Sequence, residues 1–101
     1  MLQYILSNFQ DEITLEDVAA TVHMTRTSFC RFFKERTKRT FSDLVKDLRL
    51  THASKILREE NISISNAAFA SGYNNLANFN RQFKEKFSYT PIKYRSLHSK
   101  L

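Results

Sequence analysis

A chain of 101 residues, 42% of them hydrophobic, has room for one compact domain, or for two very small ones that share an element. One Gly and one Pro argue against sheet-and-turn architectures and for helices, while a formal net charge of +6 points to a polyanionic partner. A single Cys excludes an internal disulfide and a Cys-based zinc site and fits a reducing cytosol, and there is neither a run near the roughly 18 apolar residues of a membrane span nor a signal-peptide pattern.

Leu2, Ile5, Leu6 and Phe9 form an apolar stripe that predicts a first helix from Met1 to about Phe9. Thr14, followed by Leu15-Glu16-Asp17, caps a short second helix that runs to about Thr21. His23-Met24-Thr25 make a turn, and Thr25 or Arg26 opens a third helix that reaches about Arg36. After the polar connection Lys38-Arg39-Thr40 comes a long helix, from about Ser42 to Glu59. Phe41, Leu44, Val45, Leu48, Ala53, Ile56 and Leu57 stand at helical spacing along it. Asn61-Ile62-Ser63 leads to a helix near Ile64–Ala70, a turn at Ser71-Gly72-Tyr73-Asn74 and a helix near Leu76–Phe87. Pro91 fits the first turn of a last helix through Leu97.

This order contains a repeat. With Ala19 placed on Ala68, residues 18–35 match residues 67–85. One extra residue in the second copy brings Phe29, Arg31, Phe33, Lys34 and Glu35 onto Phe79, Arg81, Phe83, Lys84 and Glu85. Each copy is a short helix, a tight turn and a basic helix, the outline of a helix-turn-helix. The expected fold is all-α, with about seven helices: a first subdomain at 1–40, a linking helix at 41–60 and a second subdomain at 61–101.

On a wheel of about 100° per residue, Phe29, Phe32 and Phe33 face one way. Thr27, Arg31 and Lys34 face the other, with Cys30 beside them. In the second copy Phe79 and Phe83 face in, Ala77, Arg81 and Lys84 face out, and Asn74 and Asn78 lie near the helix start. Such a division suits groove reading. Arg can donate two hydrogen bonds to guanine, Asn can pair with adenine, and Thr, Ala or Leu can touch the thymine methyl. Lys serves phosphates, and Thr25, Thr27 and Ser28 can hold phosphates with backbone amides. A single amphipathic helix with basic residues outside is the ordinary state of a soluble helix; repetition of the same outward residues favours the DNA reading. A basic helical protein-interaction module and a nonspecific nucleic-acid binder are the competing readings.

Charge favours the same partner unevenly. Residues 1–20 hold four acids and no Lys or Arg, residues 21–58 hold ten basic and three acidic residues, and residues 59–101 hold six and three.

The pieces TLEDVA, SFCRFFKE, the run Leu44–Leu57 with Arg49, ISNAAFASGY, ANFNRQFKEKF and TPIKYR, in this order, resemble the DNA-binding domain of the AraC/XylS family of bacterial transcription regulators. The resemblance spans about Ile13 to Arg95. It implies two helix-turn-helix units joined by a long helix, sequence-specific binding of double-stranded DNA in successive major grooves, and transcription regulation in the cytoplasm. Carried over residue by residue, base contacts fall on Thr27, Cys30 and Arg31, and on Leu76, Ala77, Asn78 and Arg81. Thr25, Arg26, Ser28, Lys34, Lys38, Arg39, Asn75 and Lys84 are the candidates for the DNA backbone. RNA polymerase is a further implied partner, as is a sensor or dimerisation domain if the chain is a fragment.

Three departures carry expectations. His23 stands where the first turn often has Gly, which predicts a less regular turn. Lys38 and Ser88 replace glycines common after each reading helix. Leu76 and Ala77 make the second face poor in hydrogen-bonding groups, suited to thymine methyls or DNA shape.

His23, His52 and His98 are too scattered for a metal site, so no metal or cofactor is expected. Arg31 beside Cys30 favours a reactive thiol, but a small neutral contact is the more economical role. No nucleophile–base pair or phosphate-binding Gly loop is visible, so the chain reads as no enzyme.

Overall fold

The computed structural model describes residues 2–98. Among them the fold is all-α, with seven helices and no strand: α1 Leu2–Asn8, α2 Leu15–Thr21, α3 Arg26–Thr37, α4 Phe41–Glu59, α5 Ile64–Ala70, α6 Leu76–Phe87 and α7 Pro91–His98. The expected start of α1 at Met1 and the last three positions of the second subdomain lie outside the described residues.

The chain forms two compact units whose boundary falls inside α4, between Leu48 and Arg49. The first holds α1, α2, α3 and the start of α4. Its core is Ile5, Val18, Ala19, Phe29, Phe33, Phe41 and Val45, with Leu44 and Leu48 packed against it. The second holds the rest of α4 with α5, α6 and α7. Its core is Leu50, Ala53, Ile56, Leu57, Ala67, Ala68, Tyr73, Phe79 and Phe83. Rings fill both. Phe29, Phe33 and Phe41 have centroids 5.7–6.0 Å apart, and in the second unit Phe83 meets Phe79, Phe87 and Tyr94 at 4.6–5.6 Å.

The repeat is longer in the structure than the sequence match alone suggests. Thr14 Oγ1 accepts from Asp17 N at 3.1 Å to cap α2, and Ser63 Oγ accepts from Asn66 N at 3.0 Å to cap α5. Thr25 and Asn75 cap α3 and α6 in the same way. Thr40 caps α4 through Asp43 N, and Thr90 caps α7 through Lys93 N. Each cap satisfies a helix-end amide that water would otherwise have to serve. Equivalence therefore runs from Thr14 on Ser63 through to the caps of α4 and α7.

The two turns are also alike. Val22 N and His23 N donate to Ala19 O and Ala20 O at 3.1 and 3.2 Å, and Met24 N returns to Ala19 O at 2.9 Å. Ser71, Gly72 and Tyr73 make the same three bonds at 3.2, 3.1 and 3.0 Å. His23 adopts the left-handed backbone, φ 57, that Gly72 adopts at φ 101. The irregular first turn expected from His23 is thus corrected: the bonds at the helix end hold the turn regular, and the cost falls on the backbone of one residue.

Two assignments of apolar residues are also corrected. Leu6 was expected inward but is 50% exposed. Helix α1 ends at Asn8, whose Nδ2 bonds Tyr4 O at 2.8 Å, and the short helix packs through Ile5 with Tyr4 at its side. Phe32 is only half-buried, and the Arg36 guanidinium lies 5.1 Å from its ring centroid. Phe29, Phe33 and Phe41 already fill that core, so the third Phe of α3 stays at its margin.

In the second unit Arg95 of α7 donates from Nε to Leu57 O at 3.3 Å and from Nη2 to Ile62 O. It ties α7 to the end of α4 and to the connection that follows.

Candidate nucleic-acid interface

Helix α3 is anchored by Phe29 and Phe33, 0% and 2% exposed. That anchoring turns Thr27, Cys30, Arg31 and Lys34, spaced i, i+3, i+4 and i+7, to solvent. The side chains of Arg31 and Lys34 hold no hydrogen bond or ion pair among the described residues. Their charges are therefore available to a ligand.

The other first-unit candidates sit around this row. Thr25 accepts from Ser28 N at 3.2 Å, which leaves its hydroxyl proton to donate outward. Ser28 is exposed beside it. Arg26 meets Glu16 at 3.4 Å on an open surface, a contact of small energetic weight. Lys38 ends α3 in the left-handed region with its side chain exposed. Arg39 is held: Nη2 donates to Asp43 O at 3.1 Å and pairs with Asp47 at 3.2 Å. Its guanidinium is thus directed along α4.

Helix α6 presents the equivalent row. Phe79 and Phe83 are fully buried, and Ala77, Asn80, Arg81 and Lys84 are exposed. Leu76 is 37% exposed at the helix start. Asn75 is exposed and its side chain caps the helix by accepting from Asn78 N at 2.9 Å. Asn78 is half-buried, and its Oδ1 accepts from Arg81 Nη2. Asn80 is absent from the sequence-based set, although it takes the place of Cys30; the i, i+3, i+4, i+7 spacing that singles out Cys30 would have found it. With Asn80 and Asn78 included, the second face has more hydrogen-bonding groups than Leu76 and Ala77 suggest.

Tyr73 also escapes a turn-based reading. It is a core residue whose hydroxyl donates to Gln82 Oε1 at 2.6 Å. Burial pushes its pKa from 10.0 up to about 12, and the nearby Arg49 charge pulls part of that back. Its signal was equivalence with Met24, which also packs on a core directly after its turn.

Cys30 is a free, exposed thiol. With Lys34 it borders a pocket of about 220 Å³ whose other walls are Leu15, Thr40, Phe41 and Ser42. Among the described residues no three His, Cys, Asp or Glu side chains come together as a metal site would require. No described helix is long and apolar enough to cross a membrane.

The model of a helix-turn-helix domain family matches residues 18–96. A probable transcription factor of Proteus vulgaris, PqrA, is 32% identical over 83 residues, covering 82% of this chain and 68% of that protein. An AraC-type DNA-binding domain protein of Chromobacterium violaceum superposes with a TM-score of 0.88 at 23% identity, over 98% of this chain and 88% of that one. The chain belongs to the AraC-type helix-turn-helix family. The DNA-binding domain of the transcriptional factor AdpA, solved with a target DNA, shares the AraC-type fold at a TM-score of 0.88 and 21% identity, over 95% of this chain and 86% of that one. The chain spans 34% and 54% of the length of two other regulators that it matches.

In AraC-type terms α2–α3 and α5–α6 are the two helix-turn-helix units, and α3 and α6 are the second helices of each. Helix polarity adds to their chemistry. Lys34 and Arg36 in the last turn of α3, and Lys84 and Lys86 in that of α6, lie where the helix dipole favours cations. The dipole thereby stabilises these basic groups in the folded state.

Proposed function

We propose that the chain binds a specific double-stranded DNA site by placing α3 and α6 in successive major grooves, and that it regulates bacterial transcription in the cytoplasm. The observation that carries this reading is the doubled outward row, Thr27, Cys30, Arg31 and Lys34 on α3 and Ala77, Asn80, Arg81 and Lys84 on α6. Arg31 and Arg81 are the base readers of first rank, each suited to the acceptor edge of a guanine. Thr27 and Cys30 flank the first, and Leu76, Ala77 and Asn78 flank the second. Thr25, Arg26, Ser28, Lys34, Lys38, Arg39, Asn75 and Lys84 are assigned to phosphates, which set affinity and orientation more than sequence.

The 19 residues of α4 support two grooves as the target. They rise about 28 Å, close to the roughly 34 Å that separates successive major grooves on one side of a duplex. One chain then supplies both readers, so the site needs no palindrome, and the unlike faces call for unlike half-sites. RNA polymerase is the proposed partner at the promoter. A sensor or dimerisation domain is the proposed control element where the chain is part of a longer regulator. No catalytic role is proposed.

Selection from a random duplex library, followed by competition with bulk DNA over a salt series, tests this reading. A recovered bipartite sequence whose binding survives competitor is expected. Equal binding of all sequences would reduce the chain to a nonspecific binder. No binding even at low salt would favour a basic protein-interaction module.

A further inference from the structure

Three side-chain amides follow one edge of α6: Asn75, Asn78 and Gln82. In each the carbonyl oxygen accepts a bond from within the protein. Asn75 Oδ1 accepts from Asn78 N at 2.9 Å, Asn78 Oδ1 accepts from Arg81 Nη2, and Gln82 Oε1 accepts from the Tyr73 hydroxyl at 2.6 Å. An amide recognises adenine by offering its oxygen and its NH2 together. Each oxygen keeps a second lone pair, but its first bond holds it within the protein, and the NH2 group, which only donates, is the wholly uncommitted part of each amide. No hydrogen bond occupies these three NH2 groups among the described residues.

We infer that this edge grips phosphodiester oxygens along one wall of the groove that α6 enters, and that Asn78 positions Arg81 instead of reading a base itself. The inference rests on the DNA reading proposed above. Phosphodiester oxygens are acceptors only, and they recur along the strand. From Asn75 to Gln82 the helix rises about 10 Å, roughly three base-pair steps of 3.4 Å, so a single guanine cannot meet all three donors. Asn78 draws the Arg81 guanidinium back along α6 toward the helix start. Arg31 has no such tether in the described residues.

The edge is particular to the second unit. Its places in α3 are taken by Thr25, Ser28 and Phe32, and the Phe32 ring carries the Arg36 guanidinium. The second unit also has Ser88 and Tyr89 where the first has Lys38 and Arg39. A neutral grip thus stands where the first unit relies on charge. Neutral donors displace no counterions, so their contribution does not depend on salt as a lysine contact does.

The test uses the whole 101-residue chain, a selected duplex and a scrambled one. Asn75→Ser keeps an oxygen for the cap and loses the NH2. Gln82→Met, made together with Tyr73→Phe so that no hydroxyl loses its partner, removes the second donor; Tyr73→Phe alone is the control. Both donor variants are expected to weaken the two duplexes by the same factor, about 3- to 10-fold, with melting temperature and salt slope unchanged. Asn78→Ala should alter base preference at the same base pair as Arg81→Ala, and leave preference untouched in the Arg81→Ala background. Unchanged affinity of the donor variants, or a preference change from Asn78→Ala at a separate base pair, overturns the inference. If the unaltered chain bound neither duplex, the DNA reading itself would fall and take the inference with it.

Discussion

Lys38 and Ser88 hold equivalent places in the repeat. Each ends its helix in the left-handed region, at φ 63 and φ 69, with its N–H on the carbonyl of Lys34 or Lys84. Both positions favour glycine, which enters that region without a side-chain clash.

Ser88→Gly is therefore expected to stabilise the second unit by about 0.5–1 kcal/mol, after allowing for the greater freedom of glycine in the unfolded chain. A thermal melt should show a rise of a few degrees, with DNA affinity unchanged. Lys38→Gly should give the same rise while weakening all DNA sequences alike. A fall in either melting temperature would show that contacts of the side chain outweigh the backbone cost.

Phe33→Ala and Phe32→Ala separate core from margin. Phe33 is 2% exposed and packs on Phe29 and Phe41, so its truncation should cost the first unit about 3–5 kcal/mol. Phe32 is half-buried, and its loss should cost about 1 kcal/mol. Equal losses in chemical denaturation would contradict the packing described for α3.

Arg31 and Lys34 lie on the same face but are expected to act differently. Arg31→Ala should relax preference at one base pair of the first half-site and cost about 1–3 kcal/mol. Lys34→Ala should weaken every sequence and lower the salt slope by about one. Site selection repeated with each variant distinguishes them; an unchanged sequence preference for Arg31→Ala would remove it from the readers.

Tyr73 sets an alkaline limit. Its pKa is pushed up to about 12 by burial, with Arg49 opposing, against 10.0 for an ordinary tyrosine. Below pH 10 the phenol is neutral in both folded and unfolded chains, and its contribution is complete. Between about pH 10 and 12 the unfolded chain releases the proton first, so stability falls as pH rises. Tyr73→Phe should flatten that fall when denaturation is followed across this window. Parallel pH curves for the two proteins would mean that the hydroxyl titrates alike in the folded and unfolded chains.

The helices, their order and most of their ends were legible because the local signals agree: Thr14, Thr25, Ser63 and Asn75 cap where their spacing says they should, and the periodic Phe pairs fix the inward faces. What escaped depends on three-dimensional competition. Leu6 and Phe32 look as apolar as their neighbours, and only the filled core reveals which one is left outside. Leu50 is 1% exposed yet falls outside the apolar spacing read along α4, because it serves the second core with Ala53 and Leu57. At the candidate interface the outward Arg and Lys rows could be read from spacing. The fate of each amide oxygen on α6 could not, since Tyr73, Arg81 and a backbone N–H claim them across different distances along the chain.

The division of α4 between two cores has a mechanical consequence. Each unit counts four helical segments, and the last of one runs without a break into the first of the next. A single residue inserted after Leu48 would advance everything beyond it by about 1.5 Å and rotate it by about 100° about the helix axis. Each half could still fold on its own side chains. The two cores thus draw on one continuous helix, while each keeps its own set of buried side chains.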